Sequence, residues 1–161
     1  MKLRYSYSKK PKGGEILTRL EKSIEIQSAP EKVWPFVLWE KCPDWYDVFK
    51  KVEWTSKDKY KVGATVHVIS ELAGVKAIWD AEVTEWKENE KGAWRSTAGN
   101  FTNFGYVALT PSELGTKVSF VMDYDLPYSI LGKVLDKLRF HGALEKSFDV
   151  GLKKLKAMAE K

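Results

Sequence analysis

One cysteine and two histidines in 161 residues leave little material for redox or metal chemistry. Cys42 has no partner with which to close an internal disulfide, and an unpaired thiol fits a reducing compartment. His67, His141 and Cys42 fall into no recognisable His/Cys ligand spacing, so no metal site is expected. The chain lacks a Walker A loop, a Gly-x-Gly-x-x-Gly turn and a Gly-x-Ser-x-Gly elbow, which leaves no sign of a nucleotide cofactor or of a hydrolase nucleophile. No apolar run approaches the roughly 20 residues needed to span a bilayer. The polar N-terminus shows no signal-peptide pattern. The expectation is a cytoplasmic protein without a cofactor.

Aromatic residues are plentiful: seven tryptophans, seven tyrosines and seven phenylalanines. With a hydrophobic fraction of 43%, that composition indicates a folded domain with a substantial core. The net charge of +5 resides in residues 1–14, where Lys2, Arg4, Lys9, Lys10 and Lys12 meet no acid. The remainder balances 22 basic against 22 acidic side chains. Residues 1–14, ending in Lys-Pro-Lys-Gly-Gly, therefore read as a flexible basic arm, and 15–161 as one domain. Such an arm offers weak contact with anionic membranes. No nucleic-acid-binding fingerprint accompanies it.

Hydrophobic periodicity divides the domain. Thr18 to Gln27 alternates as a strand, and Ala29-Pro30-Glu31 opens a short helix with proline in its first turn. Pro43-Asp44 opens a second. Strands follow at 51–56, 64–72, 75–87, 92–98, 103–111 and 116–125, punctuated by glycine and asparagine turns in the manner of an antiparallel meander. The last segment, Pro127 to Lys161, reads as a long helix. His141, Leu144, Phe148, Gly151 and Leu155 recur at spacings of 3, 4, 3 and 4 along it and share one face. Gly142 weakens this helix and suggests a break there. The fold class is α+β: a sheet closed by one long helix.

Particular motifs resemble a known family. Ser23-Ile24-Glu25-Ile26-Gln27-Ser28-Ala29-Pro30-Glu31-Lys32-Val33-Trp34 resembles the opening of the START-like, or SRPBCC, superfamily, with its Ala-Pro-x-x-Val-Trp helix. Pro43-Asp44-Trp45-Tyr46, Val62-Gly63-Ala64, Gly115-Thr116-Lys117-Val118 and Leu152-Lys153-Lys154-Leu155-Lys156 resemble later landmarks of its polyketide cyclase/dehydrase-like branch. The resemblance covers about residues 18–158. It implies a helix-grip fold: a seven-stranded antiparallel sheet wrapped around the C-terminal helix, with two short helices after the first strand and an apolar cavity inside. Members bind lipids, sterols, hormones or polyketides, and some catalyse cyclisation. A fold so widely reused does not name a function.

Alternation then maps the interior. Val118, Phe120, Met122 and Tyr124 share one face of their strand, as do Val75, Ala77, Trp79, Ala81 and Val83. Val66 and Val68 point inward with them, as do Trp94, Ser96 and Ala98, and Asn103, Gly105, Val107 and Leu109. The opposite parity sends His67, Asp123 and Asp125 outward, the two aspartates to a solvated edge. Small residues among large ones (Ala77, Ala81, Ala98, Gly105, Gly151) leave either ligand space or gaps that neighbours fill. The expected walls are Trp79, Trp94, Phe120, Tyr124, Phe140, Leu144 and Phe148, with Ala81 among them. Trp45 and the chain around 99–104 are expected at the entrance. Ser96, Asn103, Tyr124 and His141 are the expected polar contacts; His141, Ser96 and Tyr124 double as weak catalytic candidates.

Three functions remain open on this reading. The first is non-covalent binding of a small hydrophobic or aromatic molecule. The second is a cyclase or aromatase that positions a reactive polyketide. The third is a filled core serving protein or membrane association. Nothing in the residues themselves identifies an enzyme.

Overall fold

The computed structural model describes residues 17–125 and 137–161. The basic arm and residues 127–136 of the expected long helix lie outside the described residues. Strand β1 (Thr18–Ile26) leads into helix α1 (Pro30–Val37), a 3₁₀ turn (Trp39–Lys41) and helix α2 (Cys42–Trp45). Six strands follow: β2 (Phe49–Trp54), β3 (Thr65–Leu72), β4 (Val75–Lys87), β5 (Lys91–Gly99), β6 (Thr102–Ser112) and β7 (Gly115–Asp125). Helix α3 (Lys137–Ala159) is the last element. The strands form one antiparallel sheet in the order β1-β7-β6-β5-β4-β3-β2. This is the helix-grip arrangement, a meander with the first strand added beside the last. Among the described residues no helix is long and apolar enough to cross a membrane.

Local chemistry accounts for most boundaries. Pro30 sits in the first turn of α1, where its missing N–H costs nothing, and Pro35 is still close enough to that end to be accommodated. Ala73 and Gly74, with φ of 51° and 79°, make the two-residue turn that joins β3 to β4. Each expected strand is present, with its ends shifted by up to two residues.

Alternation holds along β4, where Val75, Ala77, Trp79, Ala81 and Val83 are all buried. It fails at two bulges between β4 and β5. Register shifts between Val83 and Glu85, and between Asp80 and Ala81, each insert one unpaired residue, Thr84 and Thr97. A single extra residue reverses the parity beyond it. Trp86 thereby turns inward opposite Gly92. Ala98, expected inside, pairs with Asp80 and is exposed.

Helix α3 buries Phe140, Leu144, Phe148, Gly151, Leu152, Leu155 and Ala159. It runs unbroken through Gly142, where a break was expected, and the cause is simple. A glycine costs about 1 kcal/mol in a helix, whereas the flanking Phe140 and Leu144 are each buried against the sheet and stabilise by more than that. Asp123 also departs from expectation. It is buried, and Arg19 grips it from β1 through Nε at 2.9 Å and Nη2 at 2.7 Å. Asp125 is half-buried beside Lys137.

Gly105 serves the curl of the sheet rather than the cavity. A Cβ there would lie 2.1 Å from the Val121 carbonyl oxygen and 3.0 Å from Met122 Cα on the neighbouring strand. Only a residue without a side chain lets β6 and β7 approach so closely. Gly105→Ala should therefore lower unfolding free energy by about 1–3 kcal/mol or more. Gly142→Ala, with open space around it, should raise it by up to about 1 kcal/mol. Urea denaturation of the two variants checks both signs.

Candidate functional site

Between α3 and the concave face of the sheet lies a cavity of about 80 Å³. One buried water needs about 10–15 Å³ on the same measure, so there is room for several. Seven of the expected residues line it: Trp45, Trp79, Trp94, Phe120, Phe140, Leu144 and Phe148. Ala81, Ser96, Asn103, Tyr124 and His141 do not.

The aromatic pair at the end of α2, Trp45 and Tyr46, shapes this space. Trp45 is 1% exposed, its indole N–H donating to the Phe36 carbonyl at 2.9 Å. It is a buried prop and not part of an entrance. Its ring lies 5.5 Å from that of Phe120 on β7. On its other side it meets Gly151 of α3, where a Cβ would be 3.3 Å from Trp45 Cε3 and 3.1 Å from Tyr46 Cδ2. Tyr46 packs on Phe148 at 4.5 Å. Gly151 thus opens no cavity; the helix uses it to approach α2. Of the five small residues expected to create room, Ala77 alone lines the cavity. Gly105 is met by backbone, Ala98 faces out and Ala81 is packed over.

Sequence reasoning missed several walls. Trp39, in the 3₁₀ turn, sits edge-on to Trp79 at 6.2 Å and to Trp94 at 5.5 Å. Phe101, within the chain segment expected at the entrance, is buried against Trp79 and Tyr124, both at 5.8 Å. Asn100 pins that segment to β4, its Oδ1 accepting from the Ile78 N–H at 2.8 Å. Trp86 arrives by the bulge, and Trp34 meets it edge-on at 5.3 Å. The dense tryptophan content was the available signal, but strict alternation pointed Trp86 the wrong way.

The expected polar contacts are committed elsewhere. Asn103, 1% exposed, accepts from the Trp94 indole at 2.7 Å and donates to the Phe101 carbonyl at 3.1 Å. Ser96 Oγ accepts from the Asn103 backbone N–H at 2.9 Å. These two residues hold Trp94 in the wall without reaching the cavity. Cys42 does line it, but burial, then the charges of Glu40 and Asp44, push its thiol well above the usual range. A thiol so protonated is a poor nucleophile.

Tyr124 and His141 meet behind Phe140. The Tyr124 hydroxyl lies 2.8 Å from His141 Nδ1, and His141 Nε2 lies 3.1 Å from Glu145 Oε1. In the neutral tautomer with its proton on Nε2, the imidazole donates to Glu145 and its Nδ1 accepts from the phenol. Burial, then the Glu145 charge, push the Tyr124 hydroxyl up to about 12. A recess of about 10 Å³, bounded by Thr18, Tyr124, Asp125, Lys137 and Phe140, adjoins this chain of bonds. It has space for about one water.

The comparisons agree with this architecture. The family described as polyketide cyclase / dehydrase and lipid transport matches residues 18–160, and the chain belongs to it. A relative in Streptomyces lincolnensis, an uncharacterized 17.2 kDa protein from the melC2-rnhH intergenic region, is 27% identical over 77% of this chain and 79% of its own. The Zhui aromatase/cyclase of Streptomyces sp. R1128 superposes with a TM-score of 0.72 at 14% identity, over 90% of this chain and 94% of that one. A Mycobacterium smegmatis START superfamily protein gives 0.69 at 15% identity, over 88% and 97%. A Thermus thermophilus protein gives 0.70 at 22% identity, over 89% and 97%. At such identities these solved structures speak for the shared START-like fold.

One pH effect follows from Tyr124. The folded protein keeps this proton to about pH 12, whereas an unfolded tyrosine releases it near pH 10. The corresponding stability is complete below pH 10 and is lost as pH rises towards 12. Tyr124→Phe should flatten the alkaline fall in unfolding free energy over that window. Denaturation curves from pH 9 to 12 for both proteins test this, and equal slopes would refute it.

Proposed function

We propose that this protein binds a small apolar or aromatic molecule non-covalently in the cavity between α3 and the sheet. The observation that carries this reading is the cavity itself, about 80 Å³ of space within a buried apolar core and walled by aromatic rings. Each Å² of apolar ligand surface removed from water contributes about 25 cal/mol. Rigid rings already held in mutual contact lose little freedom on binding, so less of that gain is spent on ordering. The family's description, which includes lipid transport, is in keeping with such a role.

A second reading, cyclase-like catalysis, draws on the Glu145–His141–Tyr124 chain and on the likeness to an aromatase/cyclase. On that reading the cavity positions the substrate, and the relay exchanges a proton with it after Phe140 moves aside. The present position of Phe140, between relay and cavity, favours the binding role.

Native against denaturing mass spectrometry of freshly purified protein should reveal a small molecule released on unfolding. Phe148→Trp, which fills the cavity from α3, should keep the circular dichroism spectrum and weaken that binding about tenfold or more, a loss of roughly 1.4 kcal/mol. Unchanged affinity in the folded variant would place the ligand elsewhere. His141→Ala separates the readings: binding is retained on both, but a cyclase should lose about 10²–10⁴ in rate.

A further inference from the structure

Resting on the binding role just described, the polar character of the cavity wall restricts its occupant further. Among the described residues, the lining includes no Lys, Arg, His, Asp or Glu side chain. An ionised group taken inside would lose its hydration without meeting a counter-charge, at a cost of several kcal/mol or more. The remaining polar side chains are mostly engaged. Ser70 Oγ lies 3.4 Å from both the Ala77 carbonyl and the Trp79 indole nitrogen. The Tyr46 hydroxyl bonds Ser147, and the Cys42 thiol faces the Val37 and Leu38 carbonyls.

Indole nitrogens are the exception. Trp45 and Trp94 donate to Phe36 and Asn103. Trp34, Trp39 and Trp86 also line the cavity, yet among the described residues their N–H groups make no hydrogen bond. None of these three nitrogens is sealed, since no buried side-chain nitrogen or oxygen lacks a partner. For Trp34 this is notable, because the whole residue is only 4% exposed. Each of these N–H groups thus keeps accessible surface and, among the described residues, no partner, the state that a donor to an occupant requires.

We infer that the cavity selects an uncharged aromatic molecule bearing an oxygen acceptor, oriented by an indole N–H from Trp34, Trp39 or Trp86. The wall offers donors and no charge, so a ketone, quinone or ether oxygen is matched there and a carboxylate is not. Ser96, Asn103, Tyr124 and His141 take no part in this recognition.

Four naphthalenes of similar size test the inference by tryptophan-fluorescence titration at pH 7: 2-acetylnaphthalene, 2-isopropylnaphthalene, 2-naphthoate and (2-naphthyl)trimethylammonium. The acetyl compound should bind at least about tenfold more tightly than the naphthoate and the ammonium ion. Its advantage relative to the isopropyl compound should shrink about five- to tenfold in at least one of Trp34→Phe, Trp39→Phe and Trp86→Phe, the loss of one hydrogen bond. Taking the ratio of the two uncharged ligands cancels any general loosening of the wall. Equal or tighter binding of either ion overturns the inference, as does a ratio unchanged in all three folded variants. In those cases binding of the isopropyl compound leaves the cavity's binding role standing. If none of the four binds, that role fails for ligands of this size, and the inference falls with it.

Discussion

The contact of α2 with both layers of the domain sets the interior. Trp45 is wedged between Phe120 on β7 and Gly151 on α3, and Tyr46 rests on Phe148 one turn earlier along that helix. A helix lying directly on a concave sheet would close the gap and pack it with side chains. With two aromatic rings as a prop, α3 meets α2 closely at Gly151, while its Phe140, Leu144 and Phe148 line the cavity. The cavity occupies the space left between the prop and the sheet. Removing bulk from the prop would let the helix settle inward, and adding bulk at Gly151 would push it out. The site is in this sense a consequence of packing in which one position on the helix must be small.

The same economy governs the wall. Its rings meet edge to face: Trp39 on Trp79 at 69°, Trp39 on Trp94 at 81°, and Phe49 on Trp79 at 65°. Such contacts satisfy the quadrupoles of neighbouring rings and stiffen the lining beyond simple burial. Polar groups stand one layer behind. Asn103 and Ser96 lock Trp94, and Glu40 accepts from the Trp54 indole and the Tyr60 hydroxyl. Burial pushes the Glu40 carboxyl upward, but bonds from Tyr60, its own backbone and Trp54 hold it below the usual range. Tyr60 in turn lies against Trp54 and Trp86, at 5.3 and 5.6 Å, and braces the β2–β3 connection on the cavity wall. Hydrogen bonds here position the aromatic surface that lines the cavity.

The Tyr124–His141–Glu145 chain lies outside this scheme. It joins the first turns of α3 to the end of β7, separated from the cavity by the shared Phe140 ring. Within the fold it ties the helix start to the sheet, the counterpart of the prop near the middle of the helix. The Arg19–Asp123 pair, its carboxylate buried and its guanidinium exposed, crosses from β1 to β7 near the same end. Removing Arg19 would leave the Asp123 carboxylate with much of its hydration lost and no counter-charge, whereas removing Asp123 would leave Arg19 largely in water.

Strand parity, helix spacing and turn residues were enough to determine seven strands, most of their inward faces and the buried stripe of α3, because these depend on periods that any short segment carries. Phe120, Phe140, Leu144 and Phe148 were legible in this way as walls, as were Trp79 and Trp94. Where the chain stopped being periodic, only the tertiary structure decided. The bulges at Thr84 and Thr97 turned Trp86 in and Ala98 out, since pairing geometry with a neighbouring strand is not written in either strand alone. Whether Gly105 and Gly151 made room or admitted a neighbour depended on what packed against them. The inward polar residues could be named from parity, but not whether a local partner would claim them. Those partners came together only as strand met strand and helix met sheet, and they committed Asn103, Ser96 and Tyr124 to the scaffold, while three indole N–H groups have none among the described residues.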